Sequence, residues 1–583
     1  MSGAPFRRVR PGDKAWPSAH KWNALRQATR GRVITVRSPL DVCRGARDEA
    51  ACSALFRGLQ NPYYVADNVE LTQTCGWLGA WTSQPSVYAV EAFETADVVA
   101  AVNFARDNNL RLVIKGAGHS YLGTSNAPDS LMIWTHAMNR ITTHDAFVAL
   151  GGTGQQSPQQ AVSVGVGANW IGVYNEVTTK GKRYVQGGGC ATVGVGGLVL
   201  GGGFGSYSKN FGTAAASLLE AEVVTADGSV RIANPFINRD LFWALKGGGG
   251  GSFGVVTRMT LHTYELPEFF GFVSVAIRAS SETAFHRLVR RFVDLYAEHL
   301  HSPQWGEIAN VEPGNVLHIQ MSFQGLDERQ AQSVWHPFLD WVASSQADFT
   351  VTQMPMIRVI PAARRWDPAF IRALAPEAIR YDDRPGAPAN NFYWSANLSE
   401  AGHFIYAYES VWLPASLLRA DRRQLLAEGL VAAAHHSKIE LHFQKGLAGG
   451  AADAIARTEE TSTNPLLTDA FVLAIAGSEG PPAFPGLPGH EPDFSTARSD
   501  VSAVAKAMNE LRKLAPDAGS YVAESDYFLS DWQKAYWGSN YSRLLAIKKK
   551  YDPSGLFFVH HGVGSEDWSA DGFTRLRPAE RVI

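Results

Sequence analysis

The sequence reads as a protein of two or more domains that mix helix with strand, and three observations carry this reading. At 583 residues the chain is longer than one simple hydrophobic core holds. Beyond about residue 85, runs with strand alternation follow runs with helical spacing, and the alternation persists to about 476. Between Arg183 and Lys209 lie twenty-five positions without a charge, ten of them glycine. A charge-free run of that length has the reach of a membrane span. Glycine costs about 1 kcal/mol per residue in a helix interior, however, so this run would make a poor helix and no span is expected. Backbone rich in glycine suits sharp turns and close approach to a ligand. Its unshielded N–H groups suit a pyrophosphate, which takes many donors at once. One reactive atom, the sulfur of Cys190, sits inside the run. The segment therefore reads as the wall of a nucleotide-cofactor site with a nucleophile built into it.

Taken in order, residues 1–85 are rich in Pro, Trp and Cys and read as irregular. PSVYAVEAF reads as a strand edge. TADVVAAVNFARDNN (95–109) sets Val98, Val99, Val102, Phe104 and Ala105 at helical spacing behind a Thr95 cap. LRLVIK (110–115) reads as a buried strand that runs into the small-residue turn GAGHSYLGTSN. That turn is a second phosphate-binding candidate, with His119 in its middle. AVSVGVGA (161–168) alternates as a strand does, and IGVYNEVTT reads as a short helix. LLEAEVVTADGSVRIA (218–233) reads as a hairpin with Asp227-Gly228 at its tip.

Residues 240–264 place five consecutive glycines between a short helix and a strand. Gly249 to Gly254 formally fits G-x-G-x-x-G, but that fingerprint needs a strand before and a helix after. Here the order is reversed, so a Rossmann site is not expected. After Tyr264 glycine thins out, and FFGFVSVAIRA and VLHIQMSFQG read as strands. TAFHRLVRRFVDLYAEHL (283–300) carries an apolar stripe at Phe285, Leu288, Val289, Phe292 and Tyr296. A Pro/Gly loop at 480–494 precedes a last stretch of Trp, Tyr and small residues.

Composition narrows the partners. A formal net charge of −2 leaves no basic footprint, so nucleic acid is not an expected partner. Four cysteines are too few for a disulfide scaffold. Cys43, Cys52 and Cys75 cluster, which leaves room for one bridge and one spare thiol. Their spacing is not a zinc pattern. His435, His436 and His442 lack a Cys or carboxylate set around them, so no metal is expected. The positive charges of MSGAPFRRVRPGDKAW are not followed by an apolar stretch, and the cytoplasm is the expected compartment.

Four motifs occur in order over most of the chain: RLVIKGAGHSYLGTS, VQGGGCATVGVGGLVLGGGFG with NFGTAAASLLEAEVVTADG, NRDLFWALKGGGGGSFGVVT and NYSRLLAIKKKYDPSGLFF. Together they resemble the berberine bridge enzyme-like flavin oxidases of the vanillyl-alcohol oxidase superfamily. RPGDKAWPSAHKWNAL and HHGVGSEDW resemble the isoamyl alcohol oxidase-like branch. The resemblance implies an α+β fold: a vanillyl-alcohol oxidase-type FAD-binding domain plus a substrate domain with an antiparallel sheet backed by helices. It implies an N-terminal extension (1–84) packing on the FAD domain, an FAD-binding domain (85–266), a substrate domain (267–515) and a C-terminal segment (516–583) returning to the FAD domain.

The family histidine that bonds the 8α carbon of FAD falls on His119, and the family cysteine that bonds C6 falls on Cys190. The resemblance thus implies FAD attached twice. Gly116, Ala117, Gly118 and Ser120 would hold the pyrophosphate, with Gly194, Gly197, Gly201 and Gly203 on the opposite wall. Lys115, Gly189, Thr192, Val193, Phe204, Val223 and His560 complete the implied cofactor set. Lys115 and Ala117 stand where Arg and Gly are more usual, and Ala216-Ser217 where Asp-Asn is common.

The implied reaction is oxidation of a small-molecule alcohol. A base takes the hydroxyl proton, hydride moves to flavin N5, and dioxygen reoxidises the flavin to give hydrogen peroxide. Carbohydrate oxidation, oxidative tailoring of a natural product, and a dehydrogenase using another acceptor are the alternatives. In the family the third residue after the cysteine borders the oxygen pocket, and the modest Val193 favours an oxidase. For the catalytic groups, IELHFQKGLAGG (439–450) puts His442 and Gln444 on one face of a strand. Tyr406 and Tyr408 share a face of another strand, Tyr541 lies in the C-terminal motif, and His561 would lie beside the cofactor.

Overall fold

Three sheets organise the chain. In the computed structural model, which describes residues 6–44 and 48–576, the first has four strands: Val33–Thr35, Tyr88–Glu91, Ser130–Trp134 and Arg111–Lys115. The last three run parallel, and the helix Thr95–Asp107 packs its buried Val98, Ala101, Val102 and Ala105 beneath them. That helix is capped one residue earlier than expected. Glu94 is the N-cap, in a reciprocal pair with Asp97, while the Thr95 hydroxyl donates to Glu222 at 2.6 Å.

The second sheet runs Val230–Ala233, Leu218–Val224, Val255–Glu265, Gln159–Gly165 and Ile141–Phe147, with Arg183–Val185 pairing the far end of Val255–Glu265. Its first two strands form the expected hairpin, closing with Val224 opposite Val230. Helix, glycine loop and strand follow in the expected reversed order, as Arg239–Leu245 and then Val255–Glu265.

The third sheet has nine strands. Its order is Phe349–Pro361, Phe269–Ala279, Val316–Gln324, Trp305–Glu312, Ile439–His442, Ala470–Gly480, His403–Pro414, Thr74–Trp77 and Trp81–Thr82. Every pairing in it is antiparallel except the one between His403–Pro414 and Thr74–Trp77. The helix Glu282–Leu295 buries Phe285, Leu288, Val289 and Phe292 in the same core as this sheet, and Tyr296 follows them inside. Fully burying such side chains contributes roughly 1.5–3 kcal/mol each. The architecture is α+β, and no helix among the described residues is long and apolar enough to cross a membrane.

The described residues among 1–85 are not irregular. They contain the helices Ala19–Ala28, Glu49–Gly58 and Pro62–Asp67, capped by Ser18, Asp48 and Asn61. Their strands join two sheets, Val33–Thr35 the first and Thr74–Trp77 with Trp81–Thr82 the edge of the third. Cys43 and Cys52 form a disulfide, and Cys75 is a buried free thiol.

The C-terminal segment is tied to the first sheet by a parallel bridge between Phe557 and Leu112. Lys548, almost fully buried, donates to Ser252 O at 2.6 Å, Phe557 O at 2.7 Å and Asp552 Oδ2 at 2.7 Å. One ammonium therefore fastens the returning chain to the end of the 247–252 loop. Lys548→Met should strand a buried Asp552 carboxylate and destabilise the fold by roughly 3–5 kcal/mol. Urea unfolding followed by tryptophan fluorescence measures this, and an unshifted midpoint would contradict the anchoring.

Candidate active site

The glycine run closes on itself without side chains. A Cβ on Gly205 would lie 1.8 Å from the carbonyl oxygen of Gly187, so the run can cross itself only as bare backbone. The third sheet reaches it in the same way: a Cβ on Gly306 would lie 2.0 Å from Ser206 O, so the strand Trp305–Glu312 lies directly on the run. Between them and the turn that follows Arg111–Lys115 opens a cleft of about 980 Å³.

The turn contributes Gly116, Ala117, Gly118, His119 and Ser120 to the cleft wall. The run contributes Gly189, Cys190, Val193, Gly194, Gly197, Gly201 and Phe204. Gly249, Gly250 and Gly251 line it from the five-glycine loop, and His560 and His561 from the C-terminal segment. Thr192 links the two nucleophiles: its hydroxyl lies 3.2 Å from His119 Nε2 and 3.6 Å from Cys190 Sγ.

Burial, with the charge of His403 adding to it, pushes His119 down to about 3, which leaves a neutral imidazole. Burial and then the negative charge of Glu400 push the Cys190 thiol up to about 12, so the sulfur keeps its proton at neutral pH. Burial also takes His560 to about 4 and His561 to about 3. His560 Nε2 donates to Tyr527 O at 2.9 Å and its ring stacks on Tyr527 and His561.

The third sheet supplies the facing wall. His442, Gln444 and Tyr408 all line the cleft. The strand expected over 439–450 ends at His442, however, and Phe443–Lys445 is a 3-10 turn that still presents Gln444 to the cleft. His442 Nε2 bonds Glu440 Oε2 at 3.2 Å. Against the upward push of burial, the hydrogen bond from His442 and the charge of Lys438 hold Glu440 at about 2.

Several expected residues lie elsewhere. Lys115 turns away from the cleft to donate to the carbonyls of Asn68 at 2.8 Å, Val69 at 3.1 Å and Leu71. Val223 is fully buried in the second sheet, where strand alternation points it into the core. Gly203 packs on Leu198 rather than facing the cleft. Tyr406 does not share the face of Tyr408, because a bulge between Ile405 and Ala407 breaks the alternation and packs it with Phe404 and Ala497. The Tyr541 hydroxyl donates to Glu566 Oε1 at 2.6 Å, outside the cleft.

Sequence reasoning missed others. Glu307, Glu400 and Trp394 line the cleft without belonging to any motif, and Tyr121 lines it from inside the His119 turn. The indole N–H of Trp394 donates to Gly189 O at 3.0 Å, beside Cys190. For Glu307 the one available signal was a lone acid in the otherwise uncharged stretch WGEIANV.

The cleft fits a flavin dinucleotide on the chemistry of its walls. A Cβ on Gly197 would meet nothing within 4 Å, and one on Gly116 or Gly250 nothing nearer than 3.8 Å, so a side chain there would fill the cradle. The facing wall holds buried polar atoms with no protein partner, His442 Nδ1, Gln444 Oε1 and Asn310 Oδ1, and the C-terminal segment adds His561 Nδ1. A smooth backbone wall opposite unsatisfied polar atoms suits a flat ring with a substrate above it.

The comparisons agree with this geometry. Residues 87–234 match the FAD binding domain family, and residues 520–564 match the berberine and berberine-like family. The VAO-type flavoprotein oxidase VAO615 of Thermothelomyces thermophilus is 30% identical, over 98% of this chain and 95% of its own. The crystal structure of MtVAO615 from Myceliophthora thermophila C1 superposes with a TM-score of 0.79 at 26% identity, covering 98% of this chain and 100% of that one. A glucooligosaccharide oxidase from Acremonium strictum, with 6-S-cysteinyl, 8α-N1-histidyl FAD, gives a TM-score of 0.62 at 21% identity over 82% of this chain and 92% of its own. The chain belongs to the berberine bridge enzyme-like FAD-linked oxidases of the vanillyl-alcohol oxidase superfamily.

Proposed function

We propose that this oxidase acts on the CH–OH group of a small-molecule alcohol with an FAD bonded to the chain twice, through His119 and Cys190. The observation that carries the attachment is the Thr192 hydroxyl in reach of both nucleophiles on a wall of bare backbone. The imidazole of His119 is neutral and has a lone pair to give. Cys190 must lose its proton to react, because the thiolate is the nucleophile. The 6-S-cysteinyl, 8α-N1-histidyl FAD of the Acremonium strictum enzyme supports the same pair of bonds here.

When bound, FAD accepts hydride and passes both electrons to dioxygen, giving hydrogen peroxide. The chain's residues supply the rest. Gly116, Ala117, Gly118 and Ser120, with Gly194, Gly197 and Gly201 across the cleft, would hold the pyrophosphate on exposed backbone. Val193 is small enough to leave dioxygen access beside Cys190. Gln444, His442 and Tyr408 orient the substrate hydroxyl, and Trp394 keeps water from the Gly189–Cys190 edge. A carbohydrate is the second reading. The cleft holds about 980 Å³ and carries polar side chains such as Gln444, Asn310 and Glu400, and the chitooligosaccharide oxidase and glucooligosaccharide oxidase neighbours favour it. The Cys43–Cys52 disulfide favours an oxidising compartment over the cytoplasm expected from the sequence.

A screen of primary and secondary alcohols against sugars for dioxygen uptake and peroxide release tests the reaction. Peroxide from at least one alcohol is expected, and turnover that needs a quinone in place of dioxygen would contradict the oxidase. Alkylation of the denatured, unreduced protein tests the cysteines. Cys75 alone should react; labelling at Cys190 would contradict its bond to the cofactor, and labelling at Cys43 would contradict the disulfide.

A further inference from the structure

Strand Trp305–Glu312 contains a break in its own pattern. Trp305, Ala309 and Val311 face the helix-backed core, while Ile308 and Asn310 line the cleft. Regular alternation would send Glu307 into the core between Trp305 and Ala309. Its strand partner Met321 lies in that same core. Instead Glu307 takes a left-handed φ of 70°, rare for a residue with a side chain, and its carboxylate comes out into the cleft. Such backbone persists where the surrounding structure enforces it, and it gathers at active sites.

The carboxylate is held at the centre of the site. One oxygen accepts the Ser206 hydroxyl from the glycine run, and the other accepts Gln444 Nε2 at 3.3 Å. A Cβ on Gly189, next to Cys190, would lie 3.7 Å from Glu307 Oε1. Three other carboxylates of the cleft are paired with basic side chains: Glu440 with Lys438 and His442, Glu524 with Lys445, Glu479 with His403. Glu400 accepts from Asn397, and burial raises it to about 7. Among the described residues, Glu307 is held by neutral donors only. Gln444, which shares its wall, has an amide that cannot take up a proton.

We propose that Glu307 is the catalytic base that accepts the substrate's hydroxyl proton. This rests on the CH–OH reading above. The O–H bond breaks toward the carboxylate, and its electron pair becomes the second carbon–oxygen bond. The C–H bond leaves with its electrons to the cofactor, and dioxygen finally takes that electron pair with two protons as hydrogen peroxide. Glu307 then releases its proton to solvent. Gln444 and Ser206 fix the carboxylate and are positioning residues.

Glu307→Gln keeps the shape and removes the base. It should lower kcat on the order of 100- to 10,000-fold, with KM and the flavin fluorescence of the denatured band unchanged. Glu307→Gly suits the left-handed backbone and opens space, so added formate should restore turnover in proportion to its concentration. Acidification should perturb the visible flavin bands of the parent protein more than those of Glu307→Gln, in which Glu400 still titrates, a readout that needs no turnover. Parent-level kcat in Glu307→Gln, a raised KM at unchanged kcat, loss of flavin, or identical acid spectra would each overturn the assignment. A parent protein that oxidises no alcohol or sugar refutes the CH–OH reading and leaves the acid spectra to decide whether Glu307 faces the flavin.

Discussion

Bare backbone meeting bare backbone is the constraint on which this structure turns. Where the glycine run crosses itself at Gly187 and Gly205, and where the third sheet rests on it at Gly306, carbonyl oxygens stand where any Cβ would have to sit. A methyl group at any of these points would force the layers apart. The cleft is therefore smooth on one face, as a planar ring system needs. The turn that carries His119 and the run that carries Cys190 line the same cleft.

The electrostatics of the site follow from the same dryness. With glycine backbone on one side and the third sheet on the other, burial shifts the imidazoles of His119, His560 and His561, the Cys190 thiol and the Glu400 carboxyl. Imidazoles are held neutral and the thiol protonated. A carboxylate that stays charged there needs donors, and the sheet provides them one pair at a time, from Lys438 to Lys445. Glu307 departs from this scheme, because its donors are a hydroxyl and an amide. Its left-handed backbone carries a cost of order 1–3 kcal/mol that the strands on both sides must offset.

Local features were legible in the sequence, and features set by distant partners were not. Glycine content, the His119 turn and the hairpin at Asp227-Gly228 are properties of a few adjacent residues, and they sit where the pattern put them. The apolar stripe from Phe285 to Phe292 was readable for the same reason. Lys115 was misplaced because its partners are carbonyls of residues 68–71, with nothing in the strand to announce them. Tyr406 was misplaced by a bulge, which shifts the face of a strand by one residue without a mark in composition. The N-terminal helices were readable and missed: Asn61-Pro62 is a cap followed by proline at the first helical position. Glu307 left only the trace of a lone acid in WGEIANV, since its place in the cleft comes from a φ angle that reverses the alternation around it.

The proposed pair of single bonds to FAD, one at His119 and one at Cys190, is the claim on which the account stands, and proteolysis of acid-precipitated protein tests it most directly. Yellow colour should stay in the pellet, and mass spectrometry should find one flavin bridging the peptides that contain His119 and Cys190. Colour released to the acid supernatant, or flavin mass on any other residue, would contradict it.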